Sequence, residues 1–209
     1  VLEGGSIHVD GEGTCLTTAE CLLSPGRNPE LTQAQIEAHL QDYLGVEKVL
    51  WVPRGVYNDE TTGHVDNLVC FVRPGVVALT WTEDRADPQY ERSAEAYDTL
   101  MSATDARGRR LQVHKIHQPE PILIRPEEAQ GVQAVDGTMP RQAGDRMAAS
   151  YINFYLCNGG AIVPVFDDPH DAAALQALQG LLPGREVVPV PAREILLGGG
   201  NIHCITQQQ

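Results

Sequence analysis

The chain has 209 residues, with 15 Lys and Arg against 28 Asp and Glu, a formal net charge of −13. That balance speaks against a general nucleic-acid binder, which needs cationic side chains to displace phosphate counterions. A hydrophobic fraction of 42% with 21% charged residues belongs to a folded globular chain rather than a disordered one. No apolar run approaches the roughly 20 residues of a bilayer span, so no membrane association is expected.

In chain order, the apolar run Gly5-Ser6-Ile7-His8-Val9 reads as a strand. Thr32 is an N-cap with Gln35 three residues on, and the helix it opens ends at Gly45. Residues 46–52 read as a short strand ended by Pro53, and 68–80 as a hairpin turning at Pro74-Gly75. A second helix is predicted over 90–101. Residues 118–144 are rich in Pro, Gly and Gln and read as a long loop or lid. Residues 147–155 fit a helix or a strand, 161–165 a strand, 170–182 a helix stopped by Pro183-Gly184, and 186–190 a strand. The last run, Gly200-Asn201-Ile202-His203-Cys204, also reads as a strand. The alternation is that of an α/β fold. A glycine-then-strand signature at Gly4-Gly5, Gly159-Gly160 and Gly198-Gly199-Gly200 points to internal repeats. No linker divides the chain, so residues 1–209 are taken as one catalytic-domain portion.

Five cysteines, Cys15, Cys21, Cys70, Cys157 and Cys204, make an odd set without a CxxC pair. Neither a disulfide framework nor a zinc knuckle is indicated, and reduced thiols in the cytoplasm fit best. Cys204 follows three glycines and is a candidate nucleophile; the alternative is a buried Cys on an ordinary strand. On that strand its neighbour His203 would face away. His64 and Asp66, two apart, would share a strand face and offer an acid/base and a carboxylate to one pocket; a turn with solvated acids is the alternative. His8 and Asp10 would share a face in the same way. No HExxH motif accompanies His64 and Asp66, so no metal site is expected. Glu3 is placed at a strand start with its carboxylate exposed. Together these residues make a possible Cys-His-acid constellation.

The segments Glu3-Gly4-Gly5-Ser6-Ile7-His8, Gly26-Arg27-Asn28-Pro29, Gly63-His64-Val65-Asp66-Asn67 and Gly198 to Gln209, in that order, resemble the agmatine deiminases among the guanidino-group-modifying enzymes. The resemblance implies a pentein α/β propeller of ββαβ repeats, of which this chain would hold only the later modules. It implies hydrolysis of agmatine to N-carbamoylputrescine and ammonia without a cofactor, within putrescine formation, by a cytoplasmic homo-oligomer. It maps Cys204 to the nucleophile, His64 to the general acid/base, Glu3 to the acid that orients that histidine, and Asp66 to a carboxylate that grips the guanidinium. The negative charge suits a small cationic substrate. Two departures accompany it. The family's second guanidinium-binding Asp lies upstream of the Glu-Gly-Gly segment, and Thr62 stands where the family carries Asp. Rival readings are an arginine or peptidyl-arginine deiminase, for which Arg27 or Arg141 would bind the substrate carboxylate, and an inactive remnant that keeps the fold.

Overall fold

A computed structural model describes residues 1–131 and 140–206. Its architecture is one unit played three times. In the first, β1 (Ile7–Val9) pairs antiparallel with β2 (Thr14–Thr18), and β2 pairs parallel with β3 (Lys48–Val52). The short α1 (Ala19–Leu22) and the longer α2 (Gln33–Leu44) form the crossover between the parallel strands. The second unit repeats this with β4 (Val69–Arg73), β5 (Val76–Trp81), α3 (Pro88–Ser102) and β6 (Gln112–His117). After α4 (Pro126–Gln130), the third uses β7 (Tyr155–Cys157), β8 (Gly160–Val165), α5 (Asp171–Leu181) and β9 (Glu186–Pro191), followed by α6 (Arg193–Leu196). Parallel pairing requires a crossover, and each helix supplies one while covering its sheet.

Local chemistry sets the boundaries. The Thr32 hydroxyl accepts from the Gln35 amide, the Gln35 side chain reaches back to the Thr32 amide, and Gly45 ends α2 at φ 68°, a left-handed conformation that suits glycine. Asp87 caps α3, whose first residue is Pro88. The two-residue period of the strands then divides the sheets between cores. In the central sheet, Val69, Phe71, Val77, Leu79 and Trp81 face one core together with Leu16, Leu50 and Val52 of the first unit. The intervening Cys70, Val72, Val76 and Ala78 face a second core with Phe154, Ala161, Val163 and Leu178 of the third. One sheet thereby binds its two neighbours, one with each face.

Most predicted elements are present, the 68–80 hairpin and the helix ending at Gly45 among them. Two differ. Residues 147–154 form neither helix nor strand but a turn leading into β7, buried at Tyr151, Ile152 and Phe154. Gly200 to Cys204 is not a strand: His203–Ile205 is a single 3-10 turn. Three consecutive glycines weaken a strand, and the chain bends there instead. The repetition therefore lies in the strand–strand–helix–strand order, not in every glycine cluster. Part of the stretch read as a loop or lid, 132–139, and the last three positions, 207–209, lie outside the described residues. Among the described residues, no helix is long and apolar enough to cross a membrane.

Candidate active site

The segments that enter the three units meet at one place. Glu3 precedes β1 on the 3-10 turn Gly4–Ser6, His64 and Asp66 precede β4 around the 3-10 turn Val65–Asn67, and Asn153 precedes β7. The 3-10 turn His203–Ile205 joins them after β9. Between them lies a cleft of about 780 Å³ lined by Glu3, Gly5, His8, His64, His203 and Cys204 among others.

One half of the site is built on Glu3. Its carboxylate accepts a hydrogen bond from Arg27 Nε and lies 2.9 Å from His64 Nε2. Arg27 is fixed in turn by Nη2 donating to the Thr61 carbonyl. Burial alone would raise the Glu3 carboxyl, but the hydrogen bonds from Arg27 and His64 outweigh it and hold it below the ordinary carboxylate range. An ionised Glu3 only accepts, so Nε2 of His64 carries the hydrogen and Nδ1 is the lone-pair atom of the neutral ring. That Nδ1 is buried and has no hydrogen-bond partner among the described residues. The His64 amide donates to Asp59 Oδ2 at 3.0 Å, which fixes the turn.

The other half is built on Asp66, 1% exposed. Its Oδ2 lies 2.8 Å from His203 Nδ1 and accepts from the Cys204 thiol at 3.3 Å, while Oδ1 has no partner among the described residues. Burial, and then the Asp66 charge, push the Cys204 thiol up to about 12. The Asn153 side chain works the other way, its Nδ2 lying 3.3 Å from the sulfur. Burial also raises Cys15, Cys21 and Cys70, but of these four thiols only Cys204 lines the cleft. All five cysteines are free thiols. His8 lies 5.7 Å, centroid to centroid, from His203; burial and the His203 charge lower it to about 4, so it stays neutral and accepts from the Phe71 amide. The halves meet at Gly5, where a Cβ would lie 2.6 Å from both His64 Nδ1 and Asp66 Oδ2. Only glycine lets both side chains approach the chain there.

The structure thus brings Glu3 to His64 and Asp66 to Cys204, by a route other than the predicted one. His64 and Asp66 converge from a turn, not from a shared strand face. Because His203 and Cys204 lie on a 3-10 turn, strand alternation does not apply, and both reach the same Asp66 oxygen. His8 lines the cleft, whereas Asp10 turns to the Glu12 and Thr14 amides and closes a tight turn. His203 was set aside in the sequence as facing away from Cys204, and Asn153 was given no role; the glycine run before His203 was a signal against a strand. Arg27 is committed to Glu3 and Thr61, and Arg141 to Glu60 and the Leu197 carbonyl, so neither guanidinium is available to a substrate carboxylate. Glu3, Cys21 and His64 present ligand atoms within 4.8 Å of one another. The Arg27 guanidinium already sits on that carboxylate, so a metal cation there would meet a fixed positive charge, and the trio fits a hydrogen-bonded group better than a metal centre.

Comparison with known proteins matches the whole chain, residues 1–209, to the family described as Porphyromonas-type peptidyl-arginine deiminase. The chain is 59% identical over 209 residues to the agmatine deiminase of Pseudomonas aeruginosa, covering 100% of this chain and 57% of that protein. A solved structure described as the agmatine deiminase of Enterococcus faecalis catalysing its reaction superposes with a TM-score of 0.94 at 50% identity, again covering 100% of this chain and 57% of that one. The chain therefore spans little more than half the length of these relatives. The three repeated units are modules of the pentein α/β fold.

Proposed function

We propose that this chain, which belongs to the Porphyromonas-type peptidyl-arginine deiminase family, is the catalytic portion of an agmatine deiminase. The observation that carries the reading is one cleft lined by both Cys204 and a His64 already oriented by Glu3, with the buried Asp66 carboxylate against the Cys204 thiol. A guanidinium is planar and permanently charged, and it seeks carboxylates. Among the described residues Asp66 Oδ1 lacks a donor, and a substrate N–H supplies it, while the His64 Nδ1 lone pair is left to take a proton.

The chemistry follows from the charges. With its thiol near 12, Cys204 is protonated before substrate arrives. The incoming cation offsets the Asp66 field, and the thiol proton passes to His64 Nδ1. The thiolate attacks the guanidinium carbon and a C–S bond forms. His64 returns the proton to the departing nitrogen, the C–N bond breaks, and ammonia leaves an amidino thioether on Cys204. His64 then takes a proton from water, whose oxygen attacks the same carbon. The C–S bond breaks with its electron pair on sulfur, the hydroxyl proton of the collapsing intermediate restores the Cys204 thiol, His64 passes the water proton to the released ammonia as ammonium, and N-carbamoylputrescine departs. Glu3 keeps the Nε2 hydrogen in place throughout, and Asp66 holds the guanidinium nitrogens.

Agmatine is preferred to arginine because Arg27 and Arg141 are both consumed by internal pairs. The same reading carries a cytoplasmic, homo-oligomeric complete protein with a place in putrescine formation. Its test is ammonia and carbamoylputrescine release by the complete protein and by Cys204→Ser, with agmatine and arginine in competition. Cys204→Ser is expected to lose at least about 10³-fold in turnover. Equal rates would remove the nucleophile, and equal turnover of arginine would remove the substrate assignment.

A further inference from the structure

Asn153 is fully buried, in the turn that enters β7. Its backbone carbonyl accepts the His203 amide at 3.2 Å, and its side-chain Oδ1 accepts the same amide at 2.9 Å. This second bond settles which way the side-chain amide points. An N–H donor must meet the oxygen, so the end on the His203 amide is Oδ1 and the other end is the NH₂. The NH₂ end lies 3.3 Å from Cys204 Sγ. Cys204 therefore has polar contacts of opposite kind: two acceptors, the Asp66 oxygen at 3.3 Å and Asn153 Oδ1 at 3.5 Å, and one group that can only donate, the Asn153 NH₂ at 3.3 Å. The acceptors favour the thiol and the donor favours the thiolate.

We propose that Asn153 is a catalytic residue of this site, its side-chain NH₂ donating to the Cys204 sulfur as the thiolate forms and again when that sulfur is released from the amidino thioether. The proposal rests on the reading of Cys204 as nucleophile and adds a residue to it. A hydrogen bond to an ionised sulfur is stronger than one to a neutral thiol, so the interaction grows along the reaction coordinate rather than stabilising the resting state. The donor costs no reorganisation, because the His203 amide has already oriented it. Asn153 also ties the nucleophile's turn to the entry of the third module. Movement of either would loosen the S···N contact.

The test is the pH dependence of Cys204 alkylation by iodoacetamide in the complete protein, read at the Cys204 peptide by mass spectrometry and compared with kcat/KM for agmatine. Asn153→Asp keeps the oxygen that holds the His203 amide and replaces the donor with a second acceptor. It is expected to move the alkylation midpoint upward and to lower the rate at pH 8 about tenfold or more, with kcat falling more than KM changes. Asn153→Ala should shift the midpoint in the same direction by less. A folded Asn153→Asp or Asn153→Ala with the wild-type midpoint overturns the proposal while leaving Cys204 as nucleophile. An active Cys204→Ser removes the reading itself. If neither Asn153 variant folds, the Asn153 side-chain amide resonances of the wild-type protein decide. They are expected to titrate with the Cys204 midpoint, and their failure to do so overturns the proposal.

Discussion

The two halves of the site differ in how complete they are before a ligand arrives. On the Glu3 side, a carboxylate is flanked by a guanidinium and an imidazole, and its own carboxyl is held below the ordinary range. Charge and partner are matched there. On the Asp66 side, a buried carboxylate lies against a thiol that it helps to keep protonated, and one of its oxygens has no partner. The first half has its charges paired, with only His64 Nδ1 left unpartnered among the described residues, and the second waits for a cation. Isolated buried carboxylates are costly, and a site that keeps one beside a thiol stores electrostatic free energy for a positively charged ligand to release.

The comparison breaks most visibly at Asp66. Asp66→Asn removes the negative neighbour, so the Cys204 thiol should fall from about 12 and its alkylation at pH 8 should speed up, because more thiolate is present at any given pH. Agmatine turnover should nonetheless drop by about 10²- to 10³-fold, as the guanidinium loses its carboxylate. A faster alkylation with slower catalysis separates thiol reactivity from substrate activation in one variant; slower alkylation would contradict the assignment of Asp66 as the raising charge.

Gly5→Ala strikes both halves together. Its Cβ would sit 2.6 Å from His64 Nδ1 and from Asp66 Oδ2. Overpacking of this kind costs about 1–3 kcal/mol. A lowered melting temperature with a roughly tenfold loss of kcat is expected, and an unchanged kcat would show that the two side chains have slack. Arg27→Gln touches only the charge-paired half and should do least. Without the guanidinium, the Glu3 carboxyl moves up toward its ordinary value, so the acid limb of the kcat/KM profile shifts to higher pH. The stability counterpart has a definite sign. A depressed Glu3 stabilises the fold above its unfolded value, and that contribution fades as pH falls through the lowered folded value. Glu3 is 42% exposed, so the effect on unfolding is small and the kinetic limb is the measurement to make.

Much of the architecture was legible because its signals are local. The Thr32 cap with Gln35, the Pro74-Gly75 turn and the continuous apolar runs of β4, β5 and β8 declare themselves within a few residues. The site was legible in its membership more than in its geometry. Glu3, His64, Asp66 and Cys204 stand out by residue type beside glycines, yet the contacts that join them span 61 positions between Glu3 and His64 and 138 between Asp66 and Cys204. Strand periodicity gave the wrong neighbour relation for His203 because a 3-10 turn replaces the strand, and one turn of helix leaves almost no periodic trace. Asn153 carried no signal at all. An Asn in an apolar stretch is ordinary until the His203 amide and the Cys204 sulfur are seen on either side of it.

A thiol that stays protonated until its ligand binds has a consequence outside turnover. Peroxide and general electrophiles react with thiolates, and the first step toward sulfenic acid follows thiolate character. In the resting state Cys204 offers them almost none at neutral pH, although it opens onto the cleft. The carboxylate beside it therefore acts as a safety catch. Oxidants find an unreactive sulfur, and neutral reagents label it slowly. An electrophile carrying its own amidinium or guanidinium group brings the charge that releases the catch, so selectivity among covalent inhibitors should follow their positive charge more than their intrinsic reactivity.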